Sequence, residues 1–300
     1  MQHIVKAFII IIFLTSCFRE TILDEEMPEF NSELTIISVL TPVDSIFVQL
    51  QETVPYSGKV IEYNAWNIKD AFIELSDNSG NSMNLPLVNK QKGLFGISQN
   101  YFPIRAGETY HITVSTPDGR SLRAKTTIPS QKAVFDSIYI QSDKSVDTTN
   151  DIENRIKITG RWHFPQDKKA YYIVRTIHHD SIINLETNDA VTTSYQEMVT
   201  GDIMRIGNYY EYSYSTTINK SNYYPPQSIH TYQVDLLLIT LNQTLADYIH
   251  IYEQNEIKEQ ESTFRDALFS FQGIVSSSGS IDGGKGLFGG YLIYKATLNF

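Results

Sequence analysis

The sequence predicts a mainly β protein: an immunoglobulin-like β-sandwich, then a second β-rich domain with one amphipathic helix near the C-terminus. Three observations support this prediction. Apolar residues recur at every second position in many short segments, turn-forming residues separate those segments, and apolar residues follow helical spacing in one stretch. Alternation with a period of two marks a strand with one buried face. Short strands divided by regular turns are typical of sandwiches.

The first sandwich is predicted over residues 33–130. Apolar residues alternate most clearly at 46–50, 71–75 and 110–114. Gly, Pro, Asp and Asn, which favour tight turns, separate these strands at 77–80, 105–108 and 117–119. This region therefore has strands and turns at the spacing of an immunoglobulin-like sandwich.

The second domain is predicted over residues 131–300. Further strands are predicted at 135–140, 155–164, 170–176 and 291–300. Leu245, Tyr248, Ile249 and Tyr252 recur at helical spacing, and Thr244 to Asp247 has the spacing of a capping box. We therefore predict a helix near 243–259, laid against the second sheet.

The N-terminus has the pattern of a bacterial lipoprotein signal. Lys6 precedes an apolar run, Ala7 to Leu14, that is shorter than the roughly 20 residues a spanning helix needs. The run ends in Leu14-Thr15-Ser16-Cys17, a lipobox in which the cysteine sulfur receives the lipid. We expect residues 1–16 to be a signal peptide and 17–32 to be an acidic linker lipidated at Cys17. The alternative is that Cys17 is an ordinary core thiol.

Charge and cysteine content limit the possible partners. Cys17 is the only cysteine, so no disulfide can form within the chain. Cleavage before Cys17 removes Lys6 alone and leaves 23 basic and 34 acidic residues, a net charge of −11. Such a charge disfavours nucleic acid and anionic lipid surfaces, so we expect the lipid anchor to supply the membrane affinity.

The sequence has few features of a catalytic or metal-binding site. Gly279 to Lys285 matches the first part of a P-loop, but Gly286 stands where Mg²⁺ binding needs Ser or Thr, so a Gly-rich loop is the better interpretation. His178 and His179 would point to opposite faces of a strand and could not bind one metal together. No Gly-x-Ser-x-Gly motif occurs. We therefore expect no enzyme activity, no cofactor and no metal.

A Tyr-rich stretch is the one candidate binding feature. Tyrosine combines a large contact area with a polar tip and is enriched at interfaces. The alternative is that these tyrosines fill strands, where they are also favoured. The candidate interface residues are Tyr209, Tyr210, Tyr212, Tyr214, Tyr223 and Tyr224.

Several segments together resemble a lipoprotein family of Bacteroidota-type bacteria, domain-of-unknown-function family 4249. The acidic linker after Cys17 is followed by Ser32-Glu33-Leu34-Thr35-Ile36, Leu40-Thr41-Pro42 and Asp70 to Asp77. Further matches are Ala106 to Tyr110, Thr116-Pro117-Asp118-Gly119-Arg120 with Ala124 to Pro129, and Gly283 to Gly289. These motifs are turns and strand edges, so they identify a family without identifying a reaction.

The resemblance implies a lipid-anchored protein of the outer membrane, facing the cell exterior. It further implies an accessory of a TonB-dependent transporter that helps to capture or gate a nutrient. Two other functions stay open: a structural or assembly role in the envelope without a small ligand, and a surface hydrolase. The hydrolase would need convergent carboxylates or a nucleophile next to a base.

Overall fold

A computed structural model describes residues 31–53, 66–146, 152–163, 171–184, 186–187, 189–197, 203–223, 227–254 and 281–300. The predicted fold class is confirmed. The described chain is mainly β, with several sheets and one short helix near the C-terminus.

Two packed sheets form the first sandwich. Its first eight strands are β1 (Leu34–Leu40), β2 (Ile46–Glu52), β3 (Phe72–Asp77), β4 (Ser82–Asn84), β5 (Leu87–Asn89), β6 (Leu94–Ile97), β7 (Thr109–Ser115) and β8 (Ser121–Thr127). One sheet has the order β5-β6-β2-β1, and β3, β4, β7 and β8 belong to the other. Ile36, Leu50, Ile73 and Ile112 contribute to one buried apolar cluster, which joins the two sheets. The strands predicted at 46–50, 71–75 and 110–114 are therefore confirmed.

The predicted turns form with the expected chemistry. Oδ1 of Asp77 accepts hydrogen bonds from the backbone N–H of Ser79 and of Asn81, each at 2.9 Å, and Gly80 takes a positive φ of 86°. Between β7 and β8, Gly119 takes a φ of 87°. Glycine occupies this left-handed region without the steric cost of a Cβ.

The second sandwich has longer strands. They are β9 (Ser137–Val146), β10 (Ile152–His163), β11 (Tyr171–Asn184), β12 (Ala190–Glu197), β13 (Ile203–Ile206), β14 (Tyr209–Tyr223) and β15 (Gln227–Leu241). They belong to one sheet in which β14 pairs with β15, and the sheet folds into two layers, β9-β10-β14-β13 and β12-β11-β15. Ile158 and Tyr212 from the first layer share a buried cluster with Val174 and Leu236 from the second. The second core therefore lies between these layers.

The final strand belongs to both sandwiches. After the short strand β16 (Ile281–Asp282), which pairs with β8, the chain continues as β17 (Gly284–Asn299). Residues 284–290 pair in parallel with β1, and residues 291–299 pair antiparallel with β15. The strand thus begins seven residues before the predicted start at Tyr291. Gly284 and Lys285, the last two residues of the predicted Gly-rich loop, belong to the strand.

Close backbone packing explains why glycines occupy this strand. Gly286 has a φ of 131°, and a Cβ there would overlap the carbonyl oxygen of Ile36. Between Gly284 and Gly290, glycines occupy four of the seven positions, so the polar and apolar alternation of a strand does not reveal this half of β17.

The helix α1 (Gln243–Gln254) covers the junction of the sandwiches. Leu245 and Tyr248 pack with Val39 of β1, Ile239 of β15 and Leu287 of β17. The helix begins at the predicted residue, and residues 255–259 of the prediction lie outside the described part. Its cap is Asn242, whose Oδ1 accepts from the N–H of Leu245 at 3.0 Å, rather than the expected box at 244–247.

Residues Ser32–Phe300 form one compact unit. The division into two domains at residue 130 stays a prediction. Residues 281–290 nevertheless contribute to the first sandwich, because they pair with β8 and β1.

Candidate functional site

The Tyr-rich stretch divides between the two faces of β14. Tyr212 and Tyr214 are 1% and 5% exposed, and Tyr210 stacks on the buried indole of Trp162 with ring centres 5.7 Å apart. These three side chains fill the core, as the strand-filling alternative requires. Tyr209 lies on the opposite, outer face. The side chain of Tyr223 and all of Tyr224 lie outside the described residues, and the interface role of the stretch stays a prediction.

On that outer face an arginine lies between two tyrosines. The guanidinium carbon of Arg161 is 5.4 Å from the ring centre of Tyr139 and 5.3 Å from that of Tyr209. Its Nε donates to Oε2 of Glu211 at 2.6 Å, and this hydrogen bond raises the pKa of Arg161 above its ordinary value. We call Tyr139, Arg161, Tyr209 and Glu211 the Tyr–Arg surface.

The Tyr–Arg surface is open to solvent but held in place. Tyr139 is 50% exposed and the Arg161 side chain 41% exposed. Arg161 is directly opposite Glu211 in the pairing of β10 with β14, so the ion pair follows from the strand register. Arg and Tyr are the residue types that most often supply binding energy at protein interfaces. Sequence analysis found Tyr209 but missed Tyr139 and Arg161, because strand register cannot be obtained from one strand.

A buried carboxylate lies on the outer face of the other layer. Asp235 is 1% exposed and accepts four hydrogen bonds. Its donors are His179 Nε2 at 2.8 Å, Lys295 Nζ at 2.7 Å, Thr297 Oγ1 at 2.7 Å and Gln233 Nε2 at 3.1 Å. Burial alone would raise the pKa of Asp235, but these hydrogen bonds outweigh it and lower the pKa to about 2. Asp235 is therefore an anion at neutral pH.

His179 connects this carboxylate to a surface serine. While Nε2 of His179 faces Asp235, its Nδ1 lies 2.8 Å from Oγ of Ser194. Three neighbouring strands, β12, β11 and β15, contribute one residue each. Ser194 is exposed, whereas Asp235 is buried. None of the three was a sequence candidate for catalysis, because they are far apart in the chain and match no local motif.

The two adjacent histidines behave as expected for a strand. His178 is fully buried on the inner face of β11, and His179 is on the outer face. Within the described residues no group of three or more His, Cys, Asp or Glu side chains is arranged to hold a metal ion.

An open cavity of about 530 Å³ lies beside the turn between β7 and β8. Arg120 on its wall binds Glu52 at 3.2 Å and Asp118 at 2.7 Å. The N–H of Thr116 also donates to the carbonyl of Arg120 at 3.0 Å. The turn residues Thr116 to Arg120 therefore form a bonded network that closes the hairpin, and the guanidinium is already engaged.

The proposed anchor lies outside the described residues. Cys17 and the linker up to Phe30 are not described. The described helix is neither long nor apolar enough to cross a bilayer.

The fold defines a class of protein with two β-sandwiches that share one strand. Residues 20–297 match the family described as "Domain of unknown function (DUF4249)", and the chain belongs to that family. A comparison with curated proteins found no match. A chain from a solved structure titled "Cytokine receptor complex - Crystal form 1A" aligns over 70% of this chain and 85% of its own length. Its identity is 10% and its TM-score 0.24, too low to carry an argument.

Proposed function

We propose that this protein is an interaction module of the outer membrane that docks on a TonB-dependent transporter and assists nutrient capture. The transporter enters the proposal through the family resemblance described in the sequence analysis. Residues 20–297 match the model of that family. The observation that carries the docking proposal is the Tyr–Arg surface.

The chemistry of this surface suits a protein partner. Tyrosine rings lose few rotatable bonds on binding, and a guanidinium fixed by Glu211 is already oriented before a partner arrives. A partner ring or carboxylate can approach Arg161 from the solvent side because the side chain remains 41% exposed. The Tyr–Arg surface therefore has the residue types that are enriched in binding hot spots, and its arginine is already oriented.

The anchor belongs to the same proposal. Lipid on Cys17 would hold the sandwiches at the membrane, where several acyl chains at about 0.8 kcal/mol per buried CH₂ give stable attachment. The proposal also includes that the protein faces the cell exterior and that its source is a Bacteroidota-type bacterium, as the family resemblance implies.

The test is a single-step purification from mildly solubilised outer membranes, using a tag placed on a linker after Phe300. Mass spectrometry then identifies the retained proteins. We expect one TonB-dependent barrel near equal stoichiometry, and Cys17→Ala should abolish lipidation and reduce its recovery.

Two surface variants make the test specific. Arg161→Ala and Tyr139→Ala should each lower barrel recovery about tenfold, a loss of roughly 1.4 kcal/mol. Tyr101→Ala is the matched control, because Tyr101 is 71% exposed in the loop after β6 and lies outside the Tyr–Arg surface. Recovery of the protein alone, or only with envelope-assembly factors, would reject the transporter and favour a structural role. Equal recovery in all three variants would reject this docking surface.

A further inference from the structure

The geometry points to a reactive serine: we propose that Ser194 is a nucleophile activated by His179 and aligned by Asp235, with carboxylic esters as its substrate class. This inference does not depend on the docking proposal. It rests on the hydrogen-bonded chain that runs across β12, β11 and β15.

The buried carboxylate of Asp235 sets the direction of the hydrogen bonds around His179. Asp235 is buried and ionised, so its Oδ2 accepts a hydrogen bond from Nε2–H of His179 over 2.8 Å. This fixes the tautomer in which Nδ1 carries the lone pair. The hydroxyl of Ser194, 2.8 Å away, then donates to Nδ1, which is the arrangement of a nucleophile with its general base.

The three side chains have the order of a serine-hydrolase triad, with the two imidazole nitrogens exchanged. In those enzymes the serine faces Nε2 and the acid faces Nδ1, whereas here the two nitrogens are exchanged. The roles are unaffected, because either ring nitrogen can accept the hydroxyl proton while the other is held by a carboxylate. Thr297 and Gln233 bind Oδ1 of Asp235, and His179 and Lys295 bind Oδ2, so the carboxylate is held at both oxygens.

The Ser194 hydroxyl is accessible from solvent. Ser194 is exposed on β12, which within the described sheet pairs with β11 alone. The His179 side chain is 21% exposed, and the partly exposed ring of Tyr232 lies 6.3 Å from its imidazole, centre to centre. A substrate can therefore reach Oγ from solvent and contact an aromatic ring beside it.

The reaction balances without a further cofactor. Oγ of Ser194 forms a bond to the acyl carbon, the ester C–O bond breaks, and the hydroxyl proton passes through Nδ1 of His179 to the leaving alcohol. Water then cleaves the acyl-serine, giving the carboxylic acid and restoring the serine. His179 acts as base in the first half of each transfer and as acid in the second.

The probe is a fluorophosphonate applied to the full-length protein. Attack by Oγ forms an O–P bond and expels fluoride, with the serine proton taken up by His179. Intact mass gives the extent of labelling, and peptide mapping gives the residue. We expect one label per chain at Ser194, none in Ser194→Ala, and labelling slowed about 10²-fold in His179→Gln, the loss typical of a missing general base.

A control variant tests whether labelling is specific to Ser194. Ser213 hydrogen bonds Thr159 at 2.8 Å on the outer face of the other layer, so Ser213→Ala should label at the wild-type rate. Circular dichroism should give the same spectrum for all variants. His179→Gln also removes a hydrogen-bond donor to Asp235, so a second variant is needed. Ser194→Thr keeps the hydroxyl but adds a methyl group beside it. This variant should be labelled more slowly with its fold unchanged.

The outcomes are decisive. Absence of labelling in the folded wild type, labelling only at other residues, or an unchanged rate in His179→Gln would overturn the proposal and leave a structural hydrogen-bond chain. Labelling at Ser194 that depends on His179 would support it, whether or not the transporter is found.

Discussion

The side-chain amide of Asn242 donates a hydrogen bond to Oγ1 of Thr126 over 2.7 Å, which joins the cap of helix α1 to strand β8 of the first sandwich. The oxygen of the same amide caps the helix, because Oδ1 accepts a hydrogen bond from the backbone N–H of Leu245. One residue therefore both starts the helix and connects it to the sandwich on the far side of the junction.

Asn242→Ala should lower the free energy of unfolding by about 1–2 kcal/mol, the usual cost of losing a cap, with the bond to Thr126 adding to it. Asn242→Asp is the control, since its carboxylate still caps the helix but cannot donate to Thr126. Urea unfolding should rank the proteins wild type, then Asn242→Asp, then Asn242→Ala. Equal midpoints for Asn242→Ala and the wild type would contradict this account.

Gly286→Ala should prevent folding. A Cβ at this position overlaps the carbonyl oxygen of Ile36, and the φ of 131° is strained for any side chain. Gly80→Ala is the comparison, because its φ is 86° but no atom lies within 4 Å of the added Cβ. It should cost only about 1–2 kcal/mol. The yield of soluble protein and the thermal midpoint distinguish them, and a well-folded Gly286→Ala protein would show that β1 and β17 can separate.

Asp235 should make stability depend on acid pH. Its folded pKa of about 2 lies below the ordinary value of 3.8, so the unfolded chain binds the proton more tightly. The stabilisation is present above pH 3.8 and is lost as the pH falls toward 2. At about 1.4 kcal/mol for each pKa unit, the difference between 3.8 and about 2 corresponds to roughly 2.5 kcal/mol. Urea unfolding between pH 2 and 6 should show this loss in the wild type and a flatter profile in Asp235→Asn. Parallel profiles would refute the contribution of Asp235.

Trp162→Ala should destabilise the second sandwich by about 3–5 kcal/mol. The indole is fully buried and contacts Phe135 and Tyr172 edge-on, each with ring centres 5.6 Å apart. Near-ultraviolet circular dichroism should lose most of its aromatic signal in the variant. Tyr139→Ala, on the exposed outer face, is the control and should change stability by less than about 1 kcal/mol. Similar losses in both variants would contradict the assignment of Trp162 to the core.

Local sequence patterns predicted where strands and the helix lie better than they predicted which strands pair. The alternation at 46–50 and the helical spacing from Leu245 gave β2 and the start of α1, because both depend on a periodicity within one segment. The parallel pairing of Leu34 with Gly284 connects residues at opposite ends of the chain, and no single-segment pattern specifies it.

The candidate sites illustrate the same limit. Tyr209 was found by its residue type, yet Tyr212 of the same run is a core residue, because neighbouring positions on a strand alternate between faces. Ser194, His179 and Asp235 meet only because β12, β11 and β15 pair in one particular register. Residue type can nominate such groups, but only the register brings their side chains together.

The double pairing of β17 has a consequence for how the protein is made. A ribosome delivers the chain from its N-terminus, so β1 is synthesised long before the parallel neighbour at Gly284 to Gly290 that completes its sheet. Until those residues emerge, the nascent chain exposes an apolar strand edge in the first sandwich and another along β15. Premature termination after Leu241 and before Gly284 would leave both edges open in one product, and such a fragment would be a substrate for quality-control proteases rather than a smaller working protein.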